Sequence, residues 1–237
     1  MKPPIRAVVA LVVLAALAGC ASTKVTSRQA YDGAQLPRPD RILVEDFGAT
    51  PSEVPPNSDL GAAAAGAEPQ TPEDVELGRK LGAAVARQLA LDLQNMGLPA
   101  VQAAGQAPPQ PNDIVIKGNF YGVEQGSTGK RVLLGFGSGA AELRTAVEAY
   151  QMTPDGLRHL AGGTTDSGGN KTPGMVMPLA VYAATANPLG LIIVGATKVY
   201  GETTGKSSIE GAAKRTADEI AAQIKVGAQK QGWIPVA

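Results

Sequence analysis

The chain has 237 residues, with 21 Lys and Arg against 21 Asp and Glu, a balance that leaves no electrostatic footprint for nucleic acid. One cysteine rules out an intrachain disulfide, and an aromatic content of 4% argues against stacking platforms for bases or sugars. With 29 Gly and abundant Ala, the core must be built from small and branched aliphatic side chains, in a chain long enough for one domain plus tails.

Lys2 and Arg6 precede an unbroken apolar run from Ala7 to Ala18, which ends at Gly19 and Cys20. That is the charged start, short apolar region and small-residue cleavage site of a secretory signal, too short to span a bilayer comfortably. Leu17-Ala18-Gly19-Cys20 resembles the lipobox of bacterial lipoproteins. The resemblance implies removal of residues 1–19 as the signal peptide, a thioether-linked diacylglycerol on the Cys20 sulfur, and a third acyl chain such as palmitate on its amine. The signal carries two of the 21 Lys and Arg, so the mature 218 residues hold 19 cations against 21 acids. Two or more acyl chains make a lasting tether where one does not. Ala21 in place of Asp resembles outer-membrane sorting in enteric bacteria, which implies the periplasmic face of the outer membrane.

Residues 20–40 are polar and lack an apolar period, which reads as a lipidated flexible stalk ahead of a single domain over 41–237. Arg41–Phe47 is a short run of branched apolar residues closed by Gly48, the first predicted strand. Residues 49–70 are rich in Ala, Pro, Gly and Glu and are expected as a disordered acidic loop. Eight acids and no cation lie between Arg41 and Arg79, a candidate surface for a cationic partner or a divalent ion, although the oxygens are too scattered for a calcium loop and solvated acids are the simpler reading. Thr71 then serves as N-cap with Pro72 at the first helical position. Leu77, Leu81, Val85, Leu89, Leu93 and Met96 recur on one helical face, and the helix ends at Gly97.

Leu98–Val101 predicts a second strand, Asp113–Val123 a third, and Val132–Phe136 the start of a fourth. Ala140–Met152 fits helix and strand alike, but Thr153-Pro154-Asp155-Gly156 is a good β-turn and favours a hairpin returning over Leu157–Thr165. Residues 172–197 carry no charge, a length sufficient for a bilayer. Pro173, Pro178, Pro188 and Gly190 interrupt them, which favours buried chain with an inner strand over Leu189–Thr197. A second helix follows, with Ser207 and Glu210 as a capping pair, Ile209, Ala213, Ala217, Ile220 and Ile224 on one face, and Lys225 and Lys230 near its C-terminus.

This order predicts an α/β fold: one mixed sheet of about five or six strands, with two long helices packed on one face. It resembles the layout of the curli secretion lipoprotein and of the N-terminal domain of the Tol-system propeller protein. Lys130–Leu143 (KRVLLGFGSGAAEL) resembles the signature of an uncharacterised bacterial lipoprotein family designated domain of unknown function 4410, over roughly Asp40–Ala228. That family has no established activity, so the resemblance implies no catalytic residues.

Several motifs invite chemistry and fall short of it. Gly201–Ser207 has three residues between its glycines where a phosphate-cradling loop needs four. Gly135, Gly137 and Gly139 do not match the dinucleotide spacing, and Ser138 is not at a nucleophile elbow. Ser127 and Lys130 have the spacing of a penicillin-interacting serine, but Pro173 replaces glycine in the Lys171-Thr172 partner element. His159, the sole histidine, has no cysteine partners for a metal and reads as a surface strand residue. The expectation is therefore a non-enzymatic, lipid-anchored envelope protein that binds another envelope protein, with Cys20 as the lipidation site and no cofactor or metal. The alternative is a pore or secretion component that inserts the 172–197 segment into the outer membrane.

Overall fold

The computed structural model describes residues 22–54, 71–124, 142–168, 192–194 and 209–236. Six strands run in the order β1 (Ser22–Gln29), β6 (Gly156–Gly168), β5 (Glu142–Thr153), β4 (Ile114–Glu124), β2 (Ile42–Val44) and β3 (Ala100–Gln102). A three-residue β7 (Ile192–Val194) pairs beside β4. β2 pairs parallel with β3 and β4, whereas β4, β5, β6 and β1 pair antiparallel. The sheet is mixed, and its α/β class is the one the sequence predicts. β2 occupies Ile114–Ile116 along one side of β4, and β7 occupies Gly122–Glu124 on the same strand. The inner strand expected over Leu189–Thr197 is therefore present as its central three residues, and the rest of the uncharged segment lies outside the described residues.

Helix α1 (Pro72–Asn95) starts where the sequence places it. Thr71 accepts the Asp74 backbone N–H, and Asp74 in turn accepts the Thr71 N–H, a reciprocal cap. Leu81, Val85, Leu89 and Leu93 are buried, and Gly97 closes the helix at φ 82°, a left-handed position that suits glycine. Helix α2 (Ile209–Lys230) buries Ile209, Ala213, Ala217 and Ile220, while Ser207 lies outside the described residues. Both helices share one core cluster with the same sheet face, α1 over β2, β3 and β4 and α2 over β1, β5 and β6.

The ambiguous stretch before residue 152 is strand β5, and the turn at Pro154-Asp155 joins it to β6 as a hairpin. The fourth strand expected from Val132 lies outside the described residues. The first strand is shorter than Arg41–Phe47, because the chain leaves the ladder after Val44 to bury Phe47. The Phe47 ring lies 5.9 Å from that of Phe120. A Cβ on Gly118 would come within 2.3 Å of the Phe47 ring, and a Cβ on Gly82 within 2.1 Å of the Phe47 carbonyl oxygen. Both positions must be bare for strand, helix and ring to meet.

Two expectations are corrected. The stalk over residues 20–40 is not free, since Ser22–Gln29 forms edge strand β1 and Tyr31–Leu36 is strapped to the C-terminal residues. Its polar sequence hid this, because backbone bonds hold it and they carry no hydrophobic period. The disordered acidic loop is also ordered at its start, where Pro51–Glu53 forms a 3-10 turn. There the Glu53 carboxylate accepts the Ala49 and Thr50 N–H groups. Burial pushes the Glu53 carboxyl up, but those bonds and Arg79 outweigh it and hold it below its usual range. Residues 55–70 lie outside the described residues.

Where the helices meet, burial raises the Asp92 carboxyl above its ordinary range; Gln88 opposes the rise, and the like charge of Asp218 adds to it. A carboxyl raised in the folded state favours folding most below its unfolded pKa and loses that contribution as pH rises through the folded value. Asp92→Asn should therefore raise stability at neutral pH by about 0.5 kcal/mol once solvent screening is allowed for, and change little at about pH 3. Urea titrations at the two pH values measure the difference. Gly82→Ala should destabilise by about 2 kcal/mol through overpacking against Phe47, despite the roughly 1 kcal/mol of helix propensity that alanine brings. Thermal and urea unfolding of the variant measure this.

Candidate functional site

The motifs that tempt at sequence level do not converge. Gly201–Ser207, Gly135–Gly139, Ser127, Lys130, Lys171 and Cys20 itself lie outside the described residues. His159 is exposed on β6 and stands opposite Tyr150 of β5, ring centroids 5.3 Å apart and near edge-on. The Tyr150 hydroxyl donates to Glu148 at 2.7 Å. Among the described residues no group of three or more His, Cys, Asp and Glu is placed to hold a metal ion. The acids of the 41–79 stretch are largely engaged by the chain itself. Glu45 meets Lys117 at 3.3 Å, Asp46 accepts from Gln102 at 2.6 Å, Glu53 faces Arg79 at 3.7 Å, and Asp74 caps α1. A cationic partner has less to hold there than the composition suggests.

A different place has the geometry of a site. Between the C-terminal half of α2 and the sheet lies a cavity of about 190 Å³. It reaches from β1 at the sheet edge under β6, β5 and β4 to Ile42 of β2. Residues of five strands line it, so its long direction runs across the sheet as a slot. Ile116, Val147, Leu160 and Ile220 form its aliphatic wall. Its mouth lies between β1 and α2, where Arg28, Val226 and Lys230 are exposed.

Local sequence accounts for the opening. A Cβ on Gly163 of β6 would lie 2.7 Å from the Ser27 carbonyl oxygen, so glycine lets β1 approach. A Cβ on Gly227 of α2 would meet nothing within 4 Å, which keeps the helix side of the mouth clear. The strap also lines the slot. Leu36 N–H donates to the Gln231 side chain at 2.7 Å, and Trp233 Nε1–H donates to the Leu36 carbonyl at 3.1 Å. Sequence reasoning missed this site because its parts are far apart in the chain; the small residues Gly162, Gly163 and Gly227 were the available signal.

A polar layer borders the slot. Thr145 and Thr165 face each other across β5 and β6, and Thr216 of α2 is equally buried. All three hydroxyls lack a hydrogen-bond partner among the described residues. Ser167, next in that row, is satisfied by donating to the Ala212 carbonyl at 3.2 Å.

The fold and this slot define a two-layer α/β domain with an apolar cleft between one helix and its sheet. The chain belongs to the family described as Domain of unknown function (DUF4410), whose model matches residues 42–186. No curated protein matches the chain. A point variant of the PelC dodecamer from Paraburkholderia phytofirmans is 15% identical, with a TM-score of 0.35, and the match covers 71% of this chain and 97% of that one. A second PelC dodecamer structure from the same organism is 16% identical, with a TM-score of 0.33, covering 71% and 98%. At such scores the likeness carries no argument about fold or assembly.

The unpartnered hydroxyls set a testable cost. Thr165→Val keeps the shape and removes a buried oxygen without a partner, and should stabilise the chain by about 1 kcal/mol. A urea midpoint that falls would contradict this account of the layer.

Proposed function

We propose that the protein is a lipid-anchored envelope protein that binds another envelope component and turns over no substrate. The observation that carries this reading is the position of β1. It begins at Ser22, two residues beyond Cys20, and forms an edge of the sheet among the described residues. Acyl chains on Cys20 would hold that edge near the bilayer surface, since one residue of sequence separates the cysteine from the strand. β1 carries Lys24 and Arg28 and no acid, so the edge nearest the anchor is cationic and suits an anionic membrane surface. A sheet edge also offers backbone donors and acceptors to an extended segment of a partner. The lipobox resemblance supplies the anchor, and Ala21 after the cysteine supports the periplasmic face of the outer membrane.

The test is fractionation after an alkaline carbonate wash. The native chain should stay with the membranes and incorporate labelled palmitate. A Cys20→Ala chain exported through an ordinary cleavable signal should move to the soluble fraction and take up no label. Retention of that variant in the pellet would overturn anchoring by lipid alone and would favour the membrane-inserting reading of residues 172–197.

A further inference from the structure

We propose that the slot between α2 and the sheet binds the alkyl chain of a fatty acid, with the carboxylate held at the mouth by Arg28. Three features on the molecule select this occupant. The cavity is elongated across the sheet, since lining residues of five strands share a volume of about 190 Å³, which suits a chain better than a ring. The walls offer aliphatic carbon and little hydrogen bonding, as Ile116, Val147, Leu160 and Ile220 illustrate, so a peptide backbone in the slot would lose its hydrogen bonds to water. The mouth is cationic. The Arg28 guanidinium has no ion-pair or hydrogen-bond partner among the described residues, and Lys230 stands across from it on α2.

The two cations are not equivalent. Lys230 Nζ already donates to the Tyr31 carbonyl at 3.3 Å and sits at the C-terminal end of α2, where it offsets the helix dipole. Arg28 is the uncommitted charge. Glu148 also lines the slot and keeps its charge while accepting the Tyr150 hydroxyl, so the lining holds two cations, Arg28 and Lys230, against one acid. From Ile220 to Lys230, α2 carries Lys225 and Lys230 and no acid. An anionic head thus meets net positive charge at the opening while its chain replaces empty space within. The site uses residues of the folded domain alone, so it stands whether or not Cys20 is acylated.

Isothermal titration of the full-length Cys20→Ala chain with saturated fatty acids of eight to sixteen carbons tests the inference. Binding should saturate at one site, and affinity should rise about fourfold per added methylene until the slot is full. Arg28→Ala should weaken decanoate about two- to fivefold, as expected for an exposed ion pair, and leave decanol unchanged. Gly227→Leu, placed where a side chain meets open space, should block both ligands while circular dichroism shows the fold retained. A photoactivatable fatty acid serves as a second measurement on the unmutated slot, and should label peptides within residues 25–31, 147–149, 160–165 and 220–233. Absence of saturable binding, affinity independent of chain length, or labelling confined to other regions would overturn the proposal.

Discussion

Phe47 is the residue on which the two layers depend. Its ring fills the space over Gly118 of β4 and its carbonyl rests against Gly82 of α1, so one residue sets the separation of sheet and helix. The same residue ends β2 after three positions, since the chain must turn inward to deliver the ring. Gly48 then returns to the sheet through a parallel bridge to Asn119, its N–H donating to the Gly118 carbonyl at 2.7 Å. An ion pair between half-buried Arg41 and buried Asp113 fixes the other end of this unit. Arg41 donates through Nε to Asp113 at 3.1 Å, and Asp113 also accepts the Gln110 N–H at 2.8 Å. With its carboxylate 2% exposed, Asp113 would be left as an isolated buried charge without the arginine, which is the costly case. The start of β2, the start of β4 and the loop before β4 are thereby tied together.

The elements whose identity comes from local chemistry were legible in the sequence. The Thr71 cap, the 3.6-residue stripe of α1, the branched run of β4 and the turn at Pro154-Asp155 each carry their cause within a few residues. The turn was especially informative, because it decided between helix and strand for β5 when periodicity could not. What escaped was structure made by partners distant in the chain. β1 has one branched aliphatic residue, Val25, and its order comes from backbone bonds to β6 with a bulge at Thr26. Leu36 looks like an isolated apolar residue in a polar tail until Gln231 and Trp233 close over it. The acids of 41–79 showed the converse: their number was plain, but not that Lys117, Gln102 and Arg79 would meet them.

The slot also explains why a stripe of small residues on α2 does not produce a tight helix–sheet contact along its whole length. Ala213 and Ala217 are buried in the core, whereas from Ile220 onward the helix lines the slot, with open space at Gly227. An unfilled apolar volume costs stability in proportion to its size, about 24 cal/mol per Å³ where the walls cannot collapse. For about 190 Å³ the penalty is at most roughly 5 kcal/mol, and an opening to solvent lowers it. The hydroxyl layer at Thr145, Thr165 and Thr216 adds to the same cost. Stability is thus concentrated in the half of the molecule around Phe47 and α1, and the half under α2 is the part with room to accept something.

The strap between the two ends of the chain has a consequence for the order of assembly. β1 waits for β6, about 140 positions later, and Leu36 waits for Gln231, separated by 195 positions. A ribosome adding about 5–20 residues per second needs on the order of ten to forty seconds to supply that last partner. Until β6 is made, Ser22–Gln29 has no strand to pair with, and until Gln231 is made the strap at Leu36 has no anchor. The first strand made is therefore completed by some of the last residues made, and the two ends of the chain close together.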